Sequence, residues 1–174
     1  MITPEKFLEI ELSMGISLDN EQFNELAKET INQLSEFAIK SIFDYGAGVG
    51  AYSKYAIEKG YEVYSFELWD AHKEYMKSKI PDINLVDKPV TTDLMLFIET
   101  AEHMTDKELN ALFKSIKPKY ILFSSISTKS DNDEEWGHIN LKQQSEWIEF
   151  FNKKGYEFVK DMSYPTQWTK LFKL

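Results

Sequence analysis

Short apolar runs alternate with amphipathic segments along most of the chain, and this alternation constrains the fold more than any other feature. The predicted strands are 40–46, 61–68, 83–86, 93–99 and 119–127, and the predicted helices are 19–38, 51–60, 69–80, 105–116 and 141–154. Strands that alternate with helices form a parallel sheet with right-handed crossovers. The sequence therefore predicts an α/β fold.

The C-terminal part breaks this alternation. Two further strands are predicted at 156–162 and 166–174, and the three residues between them are too few for a crossover helix. These two strands must therefore run antiparallel, whereas ordinary dinucleotide-binding domains continue to alternate strands and helices. The prediction is a three-layer sandwich around a seven-stranded, mostly parallel sheet with an antiparallel C-terminal strand.

Composition narrows the classes of function. The 174 residues carry a formal charge of -9, which argues against binding long nucleic acids by charge, although an RNA end stays open as a partner. The absence of cysteine excludes disulfides and thiolate chemistry. The N-terminus lacks the basic and apolar regions of a signal peptide, and no run reaches about 18 apolar residues. We expect a cytoplasmic protein without a membrane span, built as one domain.

The first strand leads into the glycine-rich turn "DYGAGVGA". Gly46, Gly48 and Gly50 allow a tight turn and the close approach of a ligand to the main chain, at the edge where parallel sheets open their ligand crevice. The following helix begins there and favours an anionic group. The same letters also satisfy the dinucleotide fingerprint G-x-G-x-x-A, with Ala51 in the last place. A nicotinamide cofactor therefore stays open.

Two carboxylates bear on which cofactor the glycine turn binds. Asp44 lies at the end of the first strand, where a negative charge repels a pyrophosphate but suits a cationic amino-acid group. Glu67 ends the second strand and is placed to accept hydrogen bonds from ribose hydroxyls. Because both kinds of nucleoside cofactor contain a ribose, Glu67 alone does not distinguish between them.

The motif Asp44-Tyr-Gly46-Ala-Gly48-Val-Gly50 resembles the first motif of class I S-adenosylmethionine-dependent methyltransferases, and the resemblance extends from about residue 20 over nearly the whole chain. It implies a Rossmann-like fold in which the turn binds the methionine part of the cofactor, Glu67 the ribose, and Leu68 and Asp87 the adenine. It also implies a helical segment at 1–40 that covers the cofactor, and a core at 41–174. The implied cofactor-binding residues are Asp44, Tyr45, Gly46, Gly48, Gly50, Glu67, Leu68, Asp87 and Glu99.

A second cluster follows the fourth predicted strand in "FIETAEHM". Glu99, Glu102 and His103 share one face if the segment turns helically, and carboxylates with an imidazole suit a divalent cation such as Mg²⁺ or Mn²⁺. His138 follows the fifth strand, whose end lies at the same sheet edge. We therefore expect His138 to complete the set.

This E-x-x-E-H motif resembles that of metal-dependent O-methyltransferases, including small-RNA 2′-O-methyltransferases and quinone-pathway enzymes. The resemblance implies a metal bound by Glu99, Glu102, His103 and His138. Metal-free relatives carry a similar motif, which would give Glu102 and His103 structural or substrate-positioning roles. Without a metal, His138 or His103 would act as the general base, because imidazole titrates near neutral pH.

The sequence as a whole predicts an enzyme that transfers a methyl group from S-adenosylmethionine to the hydroxyl of a small-molecule acceptor. An NAD-dependent oxidoreductase and a non-catalytic cofactor-binding scaffold are the alternatives. His72 is expected at the surface. The acidic run at 130–135 is expected to be a solvated loop or part of a lid that disfavours polyanionic acceptors.

Overall fold

The computed structural model of the protein describes residues 3–129 and 136–174, and it is built around one mixed sheet. The strands are β1 (Ser41–Tyr45), β2 (Glu62–Phe66), β3 (Leu94–Ile98), β4 (Tyr120–Ser124), β5 (Glu157–Asp161) and β6 (Lys170–Lys173). Their order is β2-β1-β3-β4-β6-β5. The first four pair in parallel, and β6 pairs antiparallel with both β4 and β5. The predicted α/β sandwich with an antiparallel C-terminal strand is confirmed.

The predicted seven strands are reduced to six among the described residues, so the prediction of a strand at 83–86 was wrong. This segment contributes an isolated parallel bridge between Leu85 and Ser65 of β2. The Ser65 amide donates to Asn84 O and the Val86 amide to Ser65 O, both at 2.9 Å. Exposed turns lie directly before and after this segment, so its pairing with β2 extends no further than these two hydrogen bonds.

The helices are α1 (Pro4–Ser13), α2 (Glu21–Asn32), α3 (Ala51–Glu58), α4 (Asp70–Lys79), α5 (Asp106–Ser115) and α6 (Gln144–Lys153). Helix α1 lies in the segment 1–40 that was expected to be helical, although no separate helix was predicted ahead of residue 19. It begins with Thr3 as its N-cap and Pro4 in its first turn. The capping box predicted for α5 is present, because Thr105 and Glu108 each accept a hydrogen bond from the other's backbone amide.

Alternating side chains along β1 divide the apolar core between the two faces of the sheet. Ile42 belongs to one core, together with residues of α2, α3 and α4, and Phe43 belongs to the other, together with residues of α5 and α6. This arrangement gives the three layers and leaves the carboxyl ends of β1, β2 and β3 at one edge. Within the described residues, no helix combines the length and apolar character needed to cross a bilayer. The acidic run at 130–135 lies outside the described residues.

Candidate active site

A cavity of about 1130 Å³ opens at the carboxyl ends of the parallel strands. Its lining combines the glycine turn after β1, Glu67 after β2 and the segment 99–104 after β3. Helix α1 and residues 136–138 complete the wall. A ligand crevice is expected at this edge of an open parallel sheet, and here these five parts of the sequence, together with residues of α4 and α5, converge on it.

Gly46 and Gly48 of the glycine turn both line the cavity, and the steric reason for a glycine differs between the two positions. A Cβ on Gly46 would lie 2.5 Å from Thr100 Cγ2, so this glycine allows the segment after β3 to approach the turn. A Cβ on Gly48 would meet no atom of the described residues within 4 Å. Both have positive φ, +78° and +54°. Gly48 therefore presents bare backbone to open space, as a ligand that lies against the main chain requires.

Asp44 lies behind the turn and is not among the residues that line the cavity. Its side chain is 3% exposed, and Ser53 on α3 donates a hydrogen bond of 2.6 Å to its carboxylate. Burial raises the pKa of Asp44 to about 6, against the opposing effect of the Ser53 hydrogen bond. Gly50 is likewise outside the lining, and it allows Met76 of α4 to pack closely. In this structure both residues support the turn from its buried side.

Glu67 connects the glycine turn to the beginning of α4. One carboxylate oxygen accepts the amide of Gly48 at 2.9 Å, and the other accepts the amides of Leu68 at 2.7 Å and Trp69 at 3.0 Å. Leu68 lines the cavity and is 73% exposed. Tyr45 also lines it, whereas Asp87 is exposed and outside the lining.

Glu99 directly follows the C-terminal end of β3. Its backbone φ of 45° is uncommon for a residue other than glycine. Its carboxylate accepts hydrogen bonds from the Ser124 hydroxyl, from the Ile126 amide at 3.1 Å and from Trp168 Nε1 at 3.1 Å. Glu99 thus lines the cavity and also ties β3 to β4 and to the C-terminal segment.

Glu102, His103 and His138 form a compact group in the cavity wall. One potential ligand atom of each lies within 4.8 Å of those of the other two. The rings of His103 and His138 are 5.0 Å apart between centroids. The fold therefore brings His138 to the E-x-x-E-H segment, as the topology predicted. Glu99, the fourth residue of the predicted metal set, is outside this group.

The protonation behaviour of this group follows from its burial. Glu102 is 1% exposed, and burial together with the neighbouring charge of Glu99 raises its pKa to about 8. Among the described residues its Oε2 has no hydrogen-bond partner, whereas the nearby Ser125 hydroxyl opposes the rise in the pKa. Burial and His138 lower the pKa of His103, whose Nδ1 lies 3.2 Å from the Gly137 carbonyl.

Helix α1, the beginning of α4 and residue 136 contribute aromatic side chains to the cavity wall, an arrangement that sequence reasoning missed. Phe7, Trp69 and Trp136 line the cavity together with Glu11 and His72. The expectation that His72 is a surface residue was wrong, because its side chain is 2% exposed and bonded to Glu11. Helix α1 covers the first turn of α4, and nothing in the local sequence of α4 reveals this contact.

Comparison with known proteins decides the family. Residues 19–158 match the family model described as a methyltransferase domain. The chain belongs to the methyltransferase family. This methyltransferase has the class I, S-adenosylmethionine-dependent architecture expected from the motif at Asp44–Gly50, and the family assignment overrides the oxidoreductase alternative.

Solved structures support the fold of this methyltransferase at low sequence identity. Streptomyces venezuelae DesVI is 14% identical with a TM-score of 0.68, and the match covers 99% of this chain and 98% of that one. Magnesium protoporphyrin IX methyltransferase (ChlM) from Synechocystis PCC 6803, with bound SAH, is 11% identical with a TM-score of 0.65, covering 99% and 87%. The methyltransferase domain of bacterial CtHen1 is 18% identical with a TM-score of 0.65, covering 87% and 97%. No curated protein gives a significant sequence match.

Proposed function

We propose that this methyltransferase transfers the methyl group of S-adenosylmethionine to a hydroxyl of a small molecule, assisted by a divalent cation. The observation that carries the proposal is the group of Glu102, His103 and His138, with potential ligand atoms within 4.8 Å of one another. The group lies on the same cavity as Gly48 and Glu67. Cofactor and cation would therefore meet in one cavity.

The cofactor side of the cavity fits a sulfonium nucleoside. When bound, S-adenosylmethionine supplies a methyl group already activated by its positively charged sulfur. Gly48 offers open backbone beside it, and Glu67 offers a carboxylate with about four lone-pair positions, of which three already face backbone amides. Ribose hydroxyls would take the remaining position and compete for the others. The carboxylates of Glu67 and Glu99 make this wall compatible with a cation.

The proposed cation site fits a borderline metal better than a hard one. One carboxylate and two imidazoles favour Mn²⁺ over Mg²⁺, which prefers oxygen ligands. Glu102 Oε2 has no hydrogen-bond partner in the part of the chain that the structure describes, and the carboxyl would release its proton when it bound a cation. The Gly137 carbonyl fixes the orientation of the His103 ring. When bound, the cation would lower the pKa of the acceptor hydroxyl.

Charge favours a small acceptor over a long polyanion. The chain carries a formal charge of -9, and Glu67, Glu99 and Glu108 all line the cavity. A polyphosphate backbone would be repelled by such a surface unless cations intervened. An RNA end therefore remains an outcome for the acceptor screen rather than the proposal.

Calorimetric titration of the purified protein with Mn²⁺, in the presence of S-adenosylhomocysteine, tests the cation site. We expect one site, weakened at least about tenfold by Glu102→Gln, His103→Asn or His138→Asn. Glu74→Gln is the matched control, because Glu74 is exposed on α4 and paired with Lys77. S-adenosylhomocysteine should bind all five proteins.

If Mn²⁺ binding is absent or unaffected by the three substitutions, the cation proposal is wrong. Metal-free base catalysis then takes its place, favoured by the lowered pKa of His103, which keeps its imidazole neutral at pH 7. If S-adenosylhomocysteine fails to bind and NADH binds instead, the cofactor assignment itself is wrong.

A further inference from the structure

His138 reaches the Glu102 group on a segment without regular secondary structure. The segment belongs to the connection between β4 and α6, and His138 and the two residues after it lie outside helices and strands. The backbone of such a segment is positioned by individual hydrogen bonds to its neighbours, because no helix or sheet ladder fixes it. The residues that make these hydrogen bonds therefore determine whether His138 can join His103.

The two residues directly after His138 are bonded to the E-x-x-E-H segment through their backbone. The Glu102 carbonyl accepts the amide of Ile139 at 2.9 Å and the amide of Asn140 at 3.0 Å. Since Glu102 and His103 both belong to the proposed cation group, these bonds attach the segment that carries the third member to the other two. Backbone amides are common to all residues except proline, so these two bonds alone do not require an asparagine at position 140.

The side chain of Asn140 adds three hydrogen bonds at the same junction. Its Nδ2 donates to the Met104 carbonyl at 2.8 Å and to Asp106 Oδ1 at 3.0 Å. Its Oδ1 accepts a hydrogen bond from Lys142, whose Nζ also lies 2.8 Å from Asp106 Oδ1. A short side chain with two donors and one acceptor group is what this junction requires, and among the side chains only asparagine offers it at this length.

We propose that Asn140 is a positioning residue that holds His138 beside His103 and thereby assembles the cation group. Its backbone amide ties the segment to Glu102, and its side chain ties the segment to the beginning of α5. The 5.0 Å distance between the centroids of the two histidine rings then depends on Asn140. The inference rests on the proposed function, since it names a residue that the proposed cation site requires.

Asn140→Asp tests the proposal with almost no change in shape. The new carboxylate oxygen would face the Met104 carbonyl and the Asp106 carboxylate, which are both acceptors, so two hydrogen bonds would be replaced by repulsion. NMR spectroscopy of the metal-free protein measures nuclear Overhauser contacts between the ring protons of His103 and His138. We expect these contacts in the wild type and their loss in Asn140→Asp.

Asn110→Asp is the matched control. Asn110 lies on α5, where its Nδ2 donates to the backbone carbonyl of the same Asp106 at 2.6 Å and its Oδ1 accepts from Lys154. The control therefore loses a comparable asparagine hydrogen bond to α5 without touching the segment that carries His138. The contacts between the two histidine rings should remain in this variant.

Calorimetric titration with Mn²⁺ separates a positioning role from a general loss of stability. We expect Asn140→Asp to weaken Mn²⁺ binding about tenfold, whereas Asn110→Asp should leave it unchanged. In a protein that already carries His138→Asn, Asn140→Asp should cause no further loss, because Asn140 acts through His138. A general effect on the fold would instead weaken binding equally in both backgrounds. The affinity for S-adenosylhomocysteine should be the same in all variants.

Ring contacts that persist in Asn140→Asp would overturn the proposal, as would their equal loss in Asn110→Asp or their absence from the wild type. An equal loss of Mn²⁺ affinity with and without His138→Asn would also overturn it. If Asn140→Asp does not fold, Lys142→Met removes one hydrogen bond to Asn140 and should weaken the ring contacts, and unchanged contacts overturn the proposal. A wild type that binds no Mn²⁺ would refute the cation proposal separately, since the ring contacts of the metal-free protein still test Asn140.

Discussion

The backbone amide of Gly48 donates a hydrogen bond of 2.9 Å to the carboxylate of Glu67. The end of β2 therefore holds the glycine turn that follows β1. The acid expected to bind the ribose also shapes the turn expected to hold the methionine part of the cofactor. Such coupling between two binding elements means that substitutions at Glu67 act on the turn as well as on the ligand.

Glu67→Ala should reduce the affinity for S-adenosylhomocysteine by about a hundredfold, because charged hydrogen bonds to the ribose are lost together with support for the turn. Isothermal titration calorimetry measures this directly. Asp70→Asn is the matched control, since Asp70 is an exposed acid three residues away, paired with Lys73. An unchanged affinity in Glu67→Ala would remove Glu67 from the cofactor site.

Gly46→Ala and Gly48→Ala should separate stability from binding. A methyl group on Gly46 clashes with Thr100, so this variant should unfold at lower urea concentration. The methyl group of Gly48→Ala meets no atom in the described part of the chain, so this variant should lose only about 1–2 kcal/mol of stability for its positive φ. Its methyl group instead projects toward the cavity, and the affinity for S-adenosylhomocysteine should fall. If Gly46→Ala lowered the affinity more than Gly48→Ala did, and Gly48→Ala lowered the stability more, the ligand would not lie against Gly48.

Asp44 should make folding stability depend on pH. Its pKa is raised from 3.8 to about 6 in the folded protein, so the fold binds this proton more tightly than the unfolded chain does. The stabilisation is complete below pH 3.8 and is lost as the pH rises through about 6. Asp44→Asn cannot ionise, so its stability relative to the wild type should rise from pH 4 to 7, by on the order of 3 kcal/mol at most.

Urea denaturation of both proteins at each pH, without cofactor, measures this difference. Titration of the other carboxylates cancels in the comparison between the two proteins. A difference in stability that stays constant from pH 4 to 7 would show that Asp44 is not perturbed.

Glu99→Gln should destabilise the protein by about 1–3 kcal/mol. The substitution replaces one carboxylate oxygen, which accepts hydrogen bonds, by an NH₂ group, which would face groups that are themselves donors. The affected partners are the Ser124 hydroxyl, the Ile126 amide and Trp168 Nε1. Glu157→Gln, on the exposed face of edge strand β5, is the control. Equal urea midpoints for the two variants would contradict the anchoring role of Glu99.

Local sequence signals predicted the features of this protein that depend on residues close together in the sequence. The capping box at Thr105 and Glu108 specifies the start of α5 within four residues. The glycine turn requires positive φ at Gly46, Gly48 and Gly50, and the structure has it at all three. The segment 83–86 was the failure among the strands, since it reads as apolar but pairs with β2 at a single residue.

The sequence alone determined the class of fold and the methyltransferase family, because apolar periodicity and the spaced glycines are properties of contiguous residues. Only the tertiary structure decided which side chains share the cavity. His138 reaches His103 from 35 positions away, and Glu11 covers His72 from 61. The crossover connections of the sheet and the packing of α1 on α4 determine these neighbours. The free energy of such contacts comes from packing between segments that are distant in sequence, so no local pattern predicts them.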